Sequence, residues 1–146
     1  MKHLIPFLLT LALLAACAPS PDEPVSSDEP ITQAADDILP SPADSALTRE
    51  SVYLDSIDLL TMESYPLQFS LALAGNMPTP CNQLRVAVSP PDAENQIRVE
   101  VYSLSTPGKI CAEVLQPFSQ NVPLGSFPAG HYTILVNGEK VAEFDG

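Results

Sequence analysis

The chain has 146 residues, enough for one domain, and carries 18 acidic against 6 basic side chains, a formal net charge of −12. That balance makes nucleic acid and anionic lipid headgroups poor partners and leaves cationic ligands, divalent metals and basic protein patches as the permitted ones. Sixteen prolines are spread unevenly, and their distribution marks a boundary.

The first stretch reads as a leader. Lys2 gives a positive start, and Leu4 to Ala16 is a short apolar run. It falls within the roughly 7–15 residues of a signal core and well short of the ~20 needed to span a bilayer. Small residues, Ala15 and Ala16, precede Cys17. The pattern Leu14-Ala15-Ala16-Cys17 resembles the lipobox of bacterial lipoproteins. That resemblance implies a signal peptide over residues 1–16, cleavage before Cys17, and thioether lipidation of Cys17, often with a further acyl (palmitate-type) chain on the new amino terminus. Two or more chains make a stable membrane anchor. The expected location is therefore extracytoplasmic, tied to the bacterial cell membrane or outer membrane, and Ala18 in place of Asp favours the outer one. Removing residues 1–16 takes away Lys2, so five bases remain against 18 acids, a net of −13.

From residue 17 to residue 50 the sequence predicts a lipidated, disordered linker. Pro19, Pro21, Pro24, Pro30, Pro40 and Pro42 stand among Ser, Asp and Glu, with acid pairs at Asp22-Glu23, Asp28-Glu29 and Asp36-Asp37. Such a composition buries too little apolar surface to offset chain entropy, and its prolines and like charges extend it. A marginal short helix over Ile31 to Leu39 is the one local structure it allows.

Period two takes over in residues 51–146. Val52 to Met62 reads as a first strand, with a change of face near Ile57. Leu67, Phe69, Leu71 and Leu73 share one face of the next, Leu84, Val86 and Val88 another, and Ile97-Arg98-Val99-Glu100-Val101 alternates without a fault. Val122-Pro123-Leu124 is a short strand whose proline places it at an edge. Tyr132 to Val136 and Lys140 to Phe144 form a hairpin across Asn137-Gly138, the strongest short turn signal. Further turns are expected at Gly75-Asn76, Ser89 to Asp92, Thr106-Pro107-Gly108 and Pro128-Ala129-Gly130. About seven short strands without a convincing helix predict an all-β fold, a single antiparallel immunoglobulin-like β-sandwich.

Phe127 to Ile134 resembles the corner of many bacterial immunoglobulin-like modules, where Gly-x-Tyr leads into the penultimate strand. The resemblance implies that Gly130 and Tyr132 form a structural corner, with the tyrosine hydroxyl bonded back to the chain. Ile134 stands where the second inter-sheet cysteine of an antibody domain would be, and there is no Trp, so only the architecture carries over. Glu63-Ser64-Tyr65-Pro66, Gly75 to Cys81, Ile110-Cys111, Pro117-Phe118 and the terminal Gly-x-Tyr to Asn137-Gly138 resemble a family of secreted bacterial β-domains. That wider resemblance implies the fold and no mechanism.

With Cys17 lipidated, Cys81 and Cys111 remain, and outside the cytoplasm such a pair is expected to form a disulfide. Both lie beside Pro-rich or Gly-rich turns, so the bridge is expected to tie a loop at one end of the sandwich. A metal site needs more ligands than this spacing offers, and a catalytic thiol needs a base. The mature chain's one histidine, His131, is expected to face outward. No nucleophile elbow, zinc-protease motif, calcium loop or phosphate-binding glycine loop is present. Asp92 and Glu94 are the nearest approach to a cation site.

These readings predict a cell-surface, lipid-anchored, non-catalytic binding or protein-interaction module that needs no cofactor. Its partners are the membrane, through the anchor, and a protein; its working surface is the loops Asn76 to Asn82 and Ser105 to Cys111. The alternative, by analogy of fold, is an inhibitor of secreted proteases. An inhibitor calls for a long protruding loop, a docking module for an exposed apolar patch or a naked edge strand.

Overall fold

The alternating segments pair into two facing sheets in the computed structural model, which describes residues 30–146. The strands are β1 (Thr48–Glu50), β2 (Tyr53–Met62), β3 (Gln68–Met77), β4 (Gln83–Val88), β5 (Gln96–Ser105), β6 (Gln116–Gly125), β7 (His131–Val136) and β8 (Glu139–Asp145). One sheet has the order β2-β3-β6 and is antiparallel throughout. The other is built on β5, with β4 on one edge and both β7 and β1 on the other, and β8 outside β7. One pairing departs from the antiparallel pattern: β5 and β7 run parallel. The cause is β6, which crosses to the opposite sheet between them, so β7 returns in the direction of β5.

Apolar residues at alternate positions meet between the sheets. Phe69, Leu71, Leu73 and Met77 of β3 and Phe118 and Val122 of β6 pack against Leu84, Val86, Ile97, Val99, Val101, Ile134 and Val136. Leu67 and Val88, expected to share these faces, lie at strand ends and are exposed. β6 is longer than the predicted three residues. It accommodates Pro117 and Pro123 because an edge strand needs its ladder on one side only.

The change of face in β2 comes two residues before Ile57. The register slips between Leu54 and Ser56, so Val52 and Leu54 point inward before the slip and Ile57 and Leu59 after it. Gly75 stands opposite Leu54 at this bulge, where a Cβ would collide with the Tyr53 carbonyl oxygen. Gly75-Asn76 is therefore not a turn: β3 runs on to Met77, and its glycine is there for close backbone approach.

Residues 30–50 correct the predicted linker of residues 17–50 and the domain start at 51; residues 17–29 lie outside the described residues. Ile31 bridges Phe118 in parallel, with its N–H donating to the Pro117 carbonyl and its own carbonyl accepting from Ser119, both at 3.0 Å. Gln33 N–H donates to Gln120 Oε1 at 3.0 Å. In place of a helix over Ile31 to Leu39 there is a turn, closed by Asp37 N–H on the Ala34 carbonyl. The turn delivers Ile38, 1 % exposed, into the core, and its carbonyl accepts from Val86 N–H on the free edge of β4.

The chain then crosses the outer face of β4. A 3-10 turn, Pro42–Ala46, is capped by Ser41 and sets Asp44 on Arg85 at 3.0 and 3.1 Å. It finally enters the sheet as β1 beside Ser103 to Ser105. This strap is why Arg85, Tyr102 and Leu104, whose neighbours point inward, are themselves buried. Composition misjudged it because one buried side chain, Ile38, and the backbone bonds of Ile31 to β6 suffice to dock a polar segment.

Candidate interaction surface

β3 ends, β4 begins, β5 ends and β6 begins at the same end of the sandwich, so their connections are neighbours. There Cys81 and Cys111, 30 residues apart, are joined in a disulfide with 6.1 Å between Cα atoms. The bridge ties the β3–β4 turn to the ten-residue connection 106–115, as expected for an end loop rather than a core crossing. The predicted loops are trimmed at their margins, since Asn76, Met77 and Ser105 belong to strands.

A polar network supports the bridge from beneath. The Thr79 hydroxyl donates to Asn82 Oδ1 at 2.6 Å and accepts from Cys81 N–H. The buried Asn82 amide donates to Glu50 Oε2 at 2.9 Å and to Ser103 Oγ at 3.0 Å. The Ser105 hydroxyl donates to Glu50 Oε1 at 2.5 Å. These bonds, the one from Ser105 first and that from Asn82 second, hold the Glu50 carboxyl below its ordinary range. The network welds the strap to both loops, and sequence reasoning missed it because Glu50 fell on the linker side of the assumed boundary.

Beyond the network the loop is apolar. Pro107 and Gly108 (φ 74°) make a turn closed by Lys109 N–H on the Thr106 carbonyl. It thrusts out Ile110, which is 97 % exposed, and the return leg leaves Val114 and Leu115 half exposed. A groove of about 460 Å³ separates this loop from Thr48, Glu50 and Thr79. Val114 and Leu115 carried no sequence signal of exposure, since an apolar pair before a strand reads as its start.

A second uncovered surface is β2. It is the outer strand of its sheet, and among the described residues nothing pairs with its free edge. Tyr53, Leu60 and Met62 are exposed on it. A larger depression of about 670 Å³ lies over β5 between β1 and the β7–β8 turn. Its arginines are already engaged: Arg49 stacks on Tyr102 at 3.8 Å and pairs with Glu100, and Arg98 pairs with Asp92.

The remaining predicted residues serve structure. Tyr132 donates from its hydroxyl to the Pro128 carbonyl at 3.2 Å, forming the corner, and its ring stacks on Phe144 at 5.3 Å. Gly130 lies against that ring at distances a Cβ would tolerate, so its small size is not essential there. His131 faces outward, with Nδ1 2.9 Å from Asp145 and Nε2 3.6 Å from Glu143. The Asp145 contact chiefly raises its pKa. Asp92 is occupied by Glu94 N–H, Gln96 N–H and Arg98, which makes it a turn residue. Among the described residues no group of His, Cys, Asp and Glu is arranged to hold a metal ion. Cys17 lies outside the described residues.

Two facing sheets, a tyrosine corner and disulfide-tied end loops define a β-sandwich domain. Within that class the chain belongs to the ORF11 beta-sandwich domain family, whose model matches residues 71–145, just over half of the chain. The matched region holds Cys81, Cys111 and Tyr132, while β1 and β2 precede it. No curated protein and no solved structure matches the chain.

Proposed function

We propose that the chain is a non-catalytic protein-interaction module, lipid-anchored through Cys17 on the outer side of a bacterial membrane. The anchor reading stands on the lipobox pattern Leu14-Ala15-Ala16-Cys17. The docking reading is carried by one observation: the ten-residue strand β2 has a free edge and exposes Tyr53, Leu60 and Met62. Free edges recruit partners by strand addition, with backbone bonds giving affinity and alternate side chains giving specificity. Labelled palmitate must enter the wild type and not Cys17→Ser. The lipidated protein must retain a partner from an envelope fraction, and Leu60→Lys, a change at an exposed position, must abolish that retention. Equal retention by both overturns the β2 assignment.

A protease inhibitor is the second reading, favoured by the exposure of Ile110 beside the bridge. It predicts inhibition of a secreted protease that Ile110→Asp removes.

A further inference from the structure

We propose that the disulfide-braced end faces the bilayer and that Ile110, Val114 and Leu115 rest in the lipid interface. This deepens the anchor reading above and rests on it.

The direction of the strap is the first argument. Ile31 runs parallel to β6 at Phe118. Traced backward to Pro30, the first described residue, the chain therefore points past Gln116 toward the 106–115 loop with its apolar tip. Length is the second. Thirteen residue-to-residue steps lead from Cys17 to Pro30. Fully extended at ~3.3–3.6 Å each they reach about 45 Å. A domain of this size is roughly 35 Å across by the usual size scaling. The anchor thus holds this end within little more than one domain width of the lipid.

Charge is the third argument. The loops at this end, residues 76–83 and 103–120, contain Lys109 and Glu113 as their only charged side chains. Of the carboxylates beside them, Glu50 is bonded by Ser105 and Asn82, and Asp55 accepts from Asn76 Nδ2 at 2.8 Å. In a chain of net charge −12, the projecting 106–115 loop is neutral and apolar-tipped. Such a loop enters a headgroup layer without the repulsion the rest of the surface would meet. The same orientation turns Ile110 away from soluble proteases and leaves the β2 edge, along the side of the sandwich, open to a protein.

The chain has no tryptophan, so one can be placed as a depth probe. Ile110→Trp and, at the opposite end, Tyr65→Trp change fully exposed side chains. Each is made in the lipidated full-length protein, which is reconstituted into phosphatidylcholine vesicles with and without brominated acyl chains. Expected is a blue shift and loss of most emission by bromine quenching for Ile110→Trp, and neither for Tyr65→Trp. Equal, weak quenching at both positions, in protein that floats with the vesicles, overturns the lipid contact and leaves the anchor intact. A blue shift that needs added envelope proteins also overturns it, in favour of a protein partner at this end. Protein that does not float with the vesicles overturns the anchor reading and this proposal together.

Discussion

Asn137 acts as a strand neighbour to Val101: its Oδ1 accepts from Val101 N–H at 2.8 Å and its Nδ2 donates to the Val101 carbonyl at 3.0 Å. The amide stands in for a peptide unit in the gap between β7, which pairs with Gln96 to Val99, and β1, which pairs with Ser103 to Ser105. Residue 137 also sits at φ 50°, a conformation Asn tolerates better than most. Asn137→Gly keeps that turn and removes both bonds. It should cost about 1–3 kcal/mol, two ordinary hydrogen bonds. Urea unfolding checks this through a lowered midpoint at unchanged slope.

The strap makes a second prediction. Ile38 is 1 % exposed and packs in the core, so Ile38→Ala should cost about 2–5 kcal/mol. A chain lacking residues 1–29 should unfold at the wild-type midpoint. One lacking residues 1–50 should fall below even Ile38→Ala, because it removes all of Ile38 and the Arg85–Asp44 pair and uncovers Tyr102 and Leu104. Equal midpoints for the two truncations would show the strap to be an ornament.

Reduction of Cys81–Cys111 releases a constraint across 30 residues. The chain-entropy relation puts that at about 3–4 kcal/mol. The strand signal in circular dichroism should survive, since the bridge lies beyond the sheet ends. Unfolding midpoints with and without reductant supply the test.

Acid and base act through different groups. Glu50 is held low by Ser105 and Asn82, and Asp44 by the Arg85 and Ser41 bonds. Each contributes stability that is present above its unfolded-state value and lost as pH falls through its folded one. His131 has the opposite sign: raised chiefly by Asp145, it contributes below its unfolded value of about 6.5 and loses that contribution as pH rises through the folded value. Glu50→Gln should therefore flatten the loss of stability below about pH 4, and His131→Asn should flatten the decline above about pH 6.5. Urea midpoints across pH measure both slopes.

What the sequence disclosed depended on periodicity. Ile97 to Val101 alternates without interruption and became β5; Asn137-Gly138 carried its turn in two letters. Gly75-Asn76 misled because a local turn signal was overridden by a bulge on the neighbouring strand, something only pairing reveals. Ile38 was diluted by the prolines and acids around it, and docking by one side chain and a few backbone bonds leaves no period. At the candidate surface the cysteines were legible from their number and from the compartment that the leader pattern implies. The exposure of Val114 and Leu115 was not, since hydrophobicity alone does not say which side of a surface a residue ends on.

The strap's partners all lie later in the chain: Ile38 meets Val86, and Gln33 meets Gln120. A polypeptide that emerges amino terminus first must hold residues 30–50 waiting until β6 has appeared. The first described segment to leave the ribosome or an export channel is thus among the last to find its place. Any chaperone attending this protein during its birth would meet the strap unclaimed, with the open side of the sandwich still to be closed.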